Sequence, residues 1–486
     1  MNKTKVLMIF GVLIIALFLR MYNLGEESYW LDEANSIRQS QESFGKSMEM
    51  VKKDTHLPLY TILLHFWVHM FGTTEFVTRL LSVIIGVFSV VLIYFIGKKL
   101  FNANIGLIAS LILALSPVAI YYSQETRLYN LSVFLTMLSF LYFIDIFEKI
   151  SLRCSIFYIL SSLLMLYTHI FSVFPLLAQN IYFIYHKRQR YKEILEWILL
   201  QFILLIFFLP SLLFLKSLIG KTHLVSWLPI PNLNILFVAF MEYIGNVFIL
   251  IIFILLLSLI FFKRRNISLK HKSSIILLLL WAILPIFLIY IFSISFIPLF
   301  HIRYFLFIIP AIYLLFAWAI SEIFKEKKIQ TFFLILIIVS SLFSIFYQLN
   351  SNEKNDWRNT SLFLKENVKD GDIIFIYPTY HQDPFTYYFD DECFKNYLLY
   401  TCNYYKSNII SLGYSAVWNG NSTKLTTPIE TNLTQLEDFI MKPIWLVEVR
   451  SEIYDKNNSL FKFLSENKKL KLNKTFGGGI NIYKFN

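Results

Sequence analysis

Long apolar runs recur up to residue 347, near 6–20, 75–97, 104–120, 131–147, 154–168, 171–186, 194–215, 235–262, 273–296, 304–322 and 329–347. A helix needs about 20 apolar residues to cross the hydrocarbon core, so these runs predict an α-helical polytopic membrane protein with about eleven spans, the shorter ones tilted. Only 16% of the chain is charged, against about 25% in soluble proteins. The net charge of +12 falls entirely within residues 1–347, while residues 348–486 are balanced. Because the excess sits between apolar runs rather than in a stripe on a soluble domain, it encodes topology, and no nucleic-acid partner is expected.

Basic residues mark every second boundary: Lys3/Lys5, Lys98/Lys99, Lys149/Arg153, Lys187 to Lys192, Lys263 to Lys272 and Lys325 to Lys328. These loops are expected on the cytoplasmic side of the cell membrane. The N-terminus is then cytoplasmic, and an odd number of spans carries residues 348–486 outside. The first run also fits a signal peptide, but Arg20-Met21-Tyr22 follows it with no small-residue cleavage site, so it reads as a retained anchor.

Two pieces before residue 75 read as helices lying in the outer interface rather than as spans: residues 33–52, and the short apolar stretch Leu57 to Phe71. The chain therefore divides into a transmembrane domain, 1–347, and a small extracytoplasmic α/β domain, 348–486. Half of all the acidic residues lie in the latter, with repeated Gly, Asn and Asp turns. A helix is expected from Asp356 to Asn367, and strands at 373–377, 444–449 and 480–485. Gly477-Gly478-Gly479 reads as a turn before the last strand, and no Walker or dinucleotide pattern occurs. Cys393 and Cys402 share the outer domain, where a disulfide between them stays open.

On this topology the ionisable residues gather on one face. Asp32, Glu33 and His56 lie in the first outer loop; Gln124, Glu125 and Arg127 in a short outer turn; His169 in the next; His301 and Arg303 in another. Charges at membrane depth are costly, so such a cluster marks a site lined by protein and water. Taken singly each residue has a plainer role. Asp32 suits an N-cap for a helix beginning near Ala34, Glu125 and Arg127 suit a mutual ion pair, the histidines suit packing, and Arg79 suits a headgroup anchor.

Ordered motifs sharpen the reading. They are Trp30-Leu31-Asp32-Glu33-Ala34, His56-Leu57-Pro58-Leu59-Tyr60, Phe71-Gly72 with Glu75-Phe76 and Arg79-Leu80, Leu115-Ser116-Pro117 followed by Tyr122 to Tyr129, Tyr167-Thr168-His169, Arg303-Tyr304 with Pro310, and Asp356-Trp357-Arg358. In this set the chain resembles the bacterial and archaeal branch of the protein O-mannosyltransferase and aminoarabinose-transferase superfamily, polytopic glycosyltransferases of the GT-C fold. Leu57 departs from the second proline that the family often carries there, a position that shapes the loop.

The resemblance implies transfer of a sugar from a polyprenyl-phosphate carrier to a lipid, glycan or protein acceptor at the outer face, with inversion. Asp32 is then the general base, and Arg127 and Arg303 hold the phosphate. Glu33, His56, Tyr60, Arg79, Gln124, Glu125, Tyr129, His169, His301 and Tyr304 are the further substrate-binding candidates. A divalent cation, Mg²⁺ or Mn²⁺, is compatible with these side chains, but the spacing identifies none. Rival readings are a lipid-linked glycan transporter or flippase, against which the chain shows no inverted repeat, and a non-catalytic envelope assembly protein.

Overall fold

A computed structural model describes residues 3–54, 56–212, 214, 228–263, 269–351, 354–395, 401–403, 407–411, 441–449 and 458–486. The chain divides into two units. The first holds Met1–Leu24, Met48–Trp67 and Phe76–Asn350, and the second holds Gly25–Ser47, Val68–Glu75 and Ser351–Asn486. The second unit thus takes in two stretches from the polar region that follows the first apolar run, and Asp32 and Glu33 are among them.

In chain order the helices are α1 (Lys3–Met21), α2 (Leu31–Gln41), α3 (Phe44–Lys53), α4 (Leu59–Phe71), α5 (Glu75–Leu100), α6 (Ala103–Ala114), α7 (Pro117–Ser123), α8 (Tyr129–Glu148), α9 (Leu152–Thr168), α10 (Val173–Lys187) and α11 (Tyr191–Phe208). Helices Leu233–Ile244, Val247–Lys263, Leu269–Ser295, Ile309–Ile323 and Lys327–Asn350 follow. Among the described residues seven helices are long and apolar enough to cross a membrane, or nine with two bent pairs counted as spans. The other two of the eleven apolar runs form α9 and α10, which are 17 and 15 residues long. The chain is a multi-pass membrane protein.

Two runs expected to be continuous are broken. α6 and α7 meet at 60°, and Leu233–Ile244 meets the following helix at 96°. The first break follows from Ser116-Pro117: proline disfavours helical geometry in the residue before it, and Ser116 Oγ accepts the Ala119 N–H to start α7. The carbonyls orphaned at the end of α6 are taken by the buried Arg20, whose guanidinium donates to Leu113 O (3.1 Å) and Ala114 O (3.0 Å). At the second break Gly245 adopts φ +112°, a left-handed geometry that other residues resist. Residues 33–52, expected as one helical stretch, are α2 and α3 with an interruption at Glu42-Ser43. α2 starts earlier than expected, with Trp30 at its N-cap, so Asp32 sits in the first turn and is not the cap.

Helix Ile309–Ile323 is the interior element of the first unit. Every residue from Ile309 to Ile320 is buried, as an all-round apolar surface requires. α5 and α6 approach at Gly97 and Gly106: a Cβ on Gly97 would lie 2.7 Å from Gly106 Cα, and one on Gly106 would lie 2.5 Å from Tyr94 O. Small residues let backbones come this close without lost packing.

The second unit carries a six-stranded sheet of β1 (Asp372–Tyr377), β2 (Thr401–Asn403), β3 (Ser407–Ser411), β4 (Ile444–Val449), β5 (Leu470–Phe476) and β6 (Ile480–Phe485). Its order is β2-β3-β1-β4-β6-β5, with β1 parallel to β3 and β4 and the other pairs antiparallel. β1 and β4 are buried on both faces. Ile374, Ile376, Trp445 and Val447 pack under helices Trp357–Asn367 and Gln382–Phe389, while Ile373, Phe375, Ile444 and Leu446 pack under Ser459–Asn467. This strict alternation is the period of a pleated strand. The helix at 357–367 and the three expected strands are present. β5 was not expected, because its exposed Lys471, Asn473 and Lys474 give no apolar run. Cys393 is disulfide-bonded; the side chain of Cys402 lies outside the described residues, as do residues 264–268 of one basic loop.

Gly106→Ala is expected to lower the stability of the detergent-solubilised protein by about 1–3 kcal/mol, because the Tyr94 carbonyl cannot move aside. Gly11→Ala, where a Cβ meets nothing within 4 Å, is the neutral control. Equal thermal midpoints for the two variants would refute the close helix contact.

Candidate functional site

Helix ends in the first unit bring several of the expected residues together. α9 ends at Thr168, and His169 turns the chain: its φ of −146° and ψ of 133° are extended, and its Nδ1 accepts the Phe171 N–H at 3.1 Å to open a short 3-10 turn. His301 repeats the device at φ −140° and ψ 135°, with Nδ1 accepting the Arg303 N–H at 3.3 Å. A backbone N–H can only donate, so each Nδ1 is unprotonated and a neutral ring carries its proton on Nε2. Both rings lie beside Tyr304, with centroids 5.6 Å away for His169 and 5.3 Å for His301.

Tyr129, at the start of α8, is the hub of this cluster. The guanidiniums of Arg127 and Arg303 each lie 5.9 Å from its ring centroid. Arg303 is also 5.7 Å from the Tyr304 ring, and Tyr122 packs against Tyr129 at 5.3 Å. Cations over aromatic faces are held by the ring quadrupole while keeping their hydrogen-bond donors for other partners. Glu125 is buried beside Tyr122.

Arg127 has a second support. Its Nη2 donates to His56 Nε2 at 2.9 Å, and His56 Nδ1 faces Asp54 Oδ1 at 3.2 Å. Arginine never accepts, so Nε2 is the acceptor and the Nδ1 proton goes to Asp54. Asp54 thereby orients His56, and His56 orients Arg127. Reading the sequence missed Asp54, although a carboxylate two residues before a histidine is the available signal.

Gln124 donates to Arg20 O (3.2 Å) and Tyr22 O (2.7 Å), closing the end of α1. Arg79 is buried in α5 and donates to Leu24 O at 3.0 Å, an interior contact in place of the expected headgroup anchor. Tyr60 is buried on α4. In the second unit, Asp32 is half-buried in the first turn of α2, and the neighbouring Glu33 is fully buried with Lys354 Nζ 3.7 Å away. Among the described residues no group of three or more His, Cys, Asp or Glu side chains is arranged to hold a metal ion.

Burial foremost, with the neighbouring His56, Arg127 and Arg303, pushes the His169 imidazole down to about 3. The cluster therefore presents fixed positive charge from two arginines, with His169 contributing a neutral donor. Such a site is suited to gripping an anion with several oxygens, a phosphate above all.

The fold is that of the GT-C polytopic glycosyltransferases. Residues 55–214 match the family model described as dolichyl-phosphate-mannose-protein mannosyltransferase. ArnT from Cupriavidus metallidurans in the apo state is similar in structure, with a TM-score of 0.60 at 10% identity over 98% of this chain and 97% of that one. The same protein bound to undecaprenyl phosphate gives 0.59 at 10% identity over 100% and 98%. The apo oligosaccharyltransferase from Archaeoglobus fulgidus gives 0.52 at 12% identity over 91% and 70%. No curated protein matches the chain by sequence.

Between pH 6.5 and 3 only the unfolded chain takes up a proton at residue 169. Stability is therefore expected to be full above pH 6.5 and to fall on acidification, by up to about 1.4 kcal/mol per pH unit from this residue. His169→Asn, which keeps a capping acceptor, should show a flatter dependence of thermal midpoint on pH between 7.5 and 5. An unchanged slope would disprove the neutral buried imidazole.

Proposed function

We propose that this chain is an inverting membrane glycosyltransferase that moves a sugar from a polyprenyl-phosphate-linked donor to a lipid, glycan or protein acceptor on the outer face of the cell membrane. The observation that carries this reading is the gathering of Arg127 and Arg303 beside one buried ring, Tyr129, each 5.9 Å from its centroid. The departing carrier phosphate is already anionic at neutral pH, so its departure needs cations and hydrogen-bond donors more than an acid. A fold of this kind holds undecaprenyl phosphate in ArnT from Cupriavidus metallidurans, and the family model that matches residues 55–214 is named for a dolichyl-phosphate donor.

Asp32 is the general base: it accepts the proton of the acceptor hydroxyl as that oxygen attacks the anomeric carbon. A single base on the face opposite the leaving group gives inversion with no covalent intermediate, as in inverting glycoside hydrolysis. His56, His169, His301, Tyr304 and Glu125 orient the phosphate and the sugar hydroxyls. Residues 1–347 form the catalytic membrane domain, and residues 348–486 are extracytoplasmic, as the alternation of basic loops implies.

Purified wild type, Asp32→Asn and Arg127→Gln would be assayed with a panel of radiolabelled undecaprenyl-phosphate pentoses and hexoses. Wild type is expected to transfer from at least one donor. Asp32→Asn should lose at least about 100-fold in kcat, and Arg127→Gln should raise the donor KM about 10-fold or more. Full activity in Asp32→Asn would remove it from the chemistry. No transfer by wild type from any donor, with binding retained, would replace this reading by a transport role.

A further inference from the structure

The second unit contains a set of contacts that the proposed chemistry leaves unused, and all of them converge on the segment bearing Asp32. Glu33 is fully buried and forms an ion pair with Lys354, whose Nζ lies 3.7 Å from Glu33 and 3.4 Å from Glu27 and whose side chain is only 7% exposed. A buried carboxylate is tolerated only with such a partner. Successive helix residues point about 100° apart, so clamping Glu33 inward fixes the direction in which Asp32 is presented.

Lys354 is itself rigidly seated. Asn355 Nδ2 donates to Gly478 O at 2.5 Å, and the Asp356 N–H donates to Gly477 O at 3.0 Å. A Cβ on Gly478 would collide with Asn355 Cα, and Gly478 adopts φ +72°, so the glycine turn before β6 is shaped to receive this segment. Four residues on, the Arg358 guanidinium donates to Gly25 O (3.1 Å) and Glu26 O (3.0 Å), and the Arg358 backbone N–H donates to Ser28 Oγ (3.1 Å). The far end of α2 is tied by Arg38 to Asp383 at 2.5 Å. Residues 354–358 thus grip the approach to α2 and its first turn.

We propose that Lys354, through its ion pair with Glu33, is a positioning residue that fixes the first turn of α2 and with it the Asp32 carboxylate. Glu33 then acts by orienting its neighbour, in place of the substrate contact expected of it. The proposal rests on the reading of Asp32 as the base.

The test uses the full-length protein and the undecaprenyl-phosphate sugar that supports transfer in the donor panel. Lys354→Met is expected to lower kcat about 10- to 100-fold, as small misplacements of a catalytic group do, with the donor KM within about 3-fold of wild type. Lys354→Arg should restore kcat to within about 3-fold, because it keeps the charge. Lys354→Met with Glu33→Gln should be no worse than the worse single variant, since both act through one pair. A wild-type kcat in Lys354→Met, a loss confined to KM, or losses that multiply in the double variant would each overturn the proposal. If Lys354→Met does not fold, the double variant, which leaves no buried charge unpaired, decides by the same kcat and KM criteria. Asp32→Asn measured alongside separates the two claims. An active Asp32→Asn defeats the base assignment, whereas an inactive one beside a normal Lys354→Met defeats only the positioning role.

Discussion

Inside a bilayer every backbone N–H and C=O must find its partner within the protein, and two side chains of the site, His169 and His301, meet this demand. Several helices of the first unit begin at a polar side chain that accepts their free backbone N–H groups. Asn102 accepts from Asn104 and Ile105 at the start of α6, Ser116 opens α7, Ser151 opens α9, and Asn246 Oδ1 accepts the Ile249 N–H. His169 and His301 do the same for two 3-10 turns. These breaks let polar side chains enter an otherwise apolar unit, and two of the capping residues are also members of the cationic cluster.

Burial foremost, with the neighbouring cations, sets the charge of His169, and its capping role sets the tautomer. Buried beside two arginines, the ring stays neutral, and because its Nδ1 accepts the Phe171 N–H its proton sits on Nε2, so His169 adds no third full charge beside Arg127 and Arg303. The arginines are supported differently, over the face of Tyr129 and, for Arg127, by the Asp54 to His56 chain. A low-dielectric surrounding strengthens attraction for an anion and raises the cost of misplacing a charge. Aromatic walls and neutral capping groups reconcile the two.

In the second unit the same logic of paired charge operates around a sheet. Glu33 with Lys354 and Arg38 with Asp383 are buried pairs that cost desolvation and give geometry in return. The sheet supplies rigid ground for them: β1 and β4 are buried on both faces, and the glycine turn before β6 meets the backbone at Asn355. The sheet unit thus brings residues 354–358 against a turn of helix far away in sequence.

The sequence by itself determined the membrane class, the positions of the apolar runs, and the central strands, because hydrophobic period and length are local properties of the chain. It also supplied the residues of the cluster, since charge at membrane depth is rare enough to be read directly. Ser116-Pro117 carried the α6 to α7 break, yet the run looked continuous because an apolar stretch does not register a bend. Trp30 displaced Asp32 from the N-cap, residues 33–52 split into α2 and α3, and β5 was hidden by its lysines. Only the tertiary structure decided which polar residues meet: Gln124 closes α1, Asp54 reaches His56, and Lys354 reaches Glu33 across more than three hundred residues of chain. The pairs made by Gln124 and Lys354 have no local signature, because they are fixed by the packing of distant segments, and a lone lysine in a polar stretch carries nothing that names its partner; Asp54 lies two residues from His56, and there the signal was local.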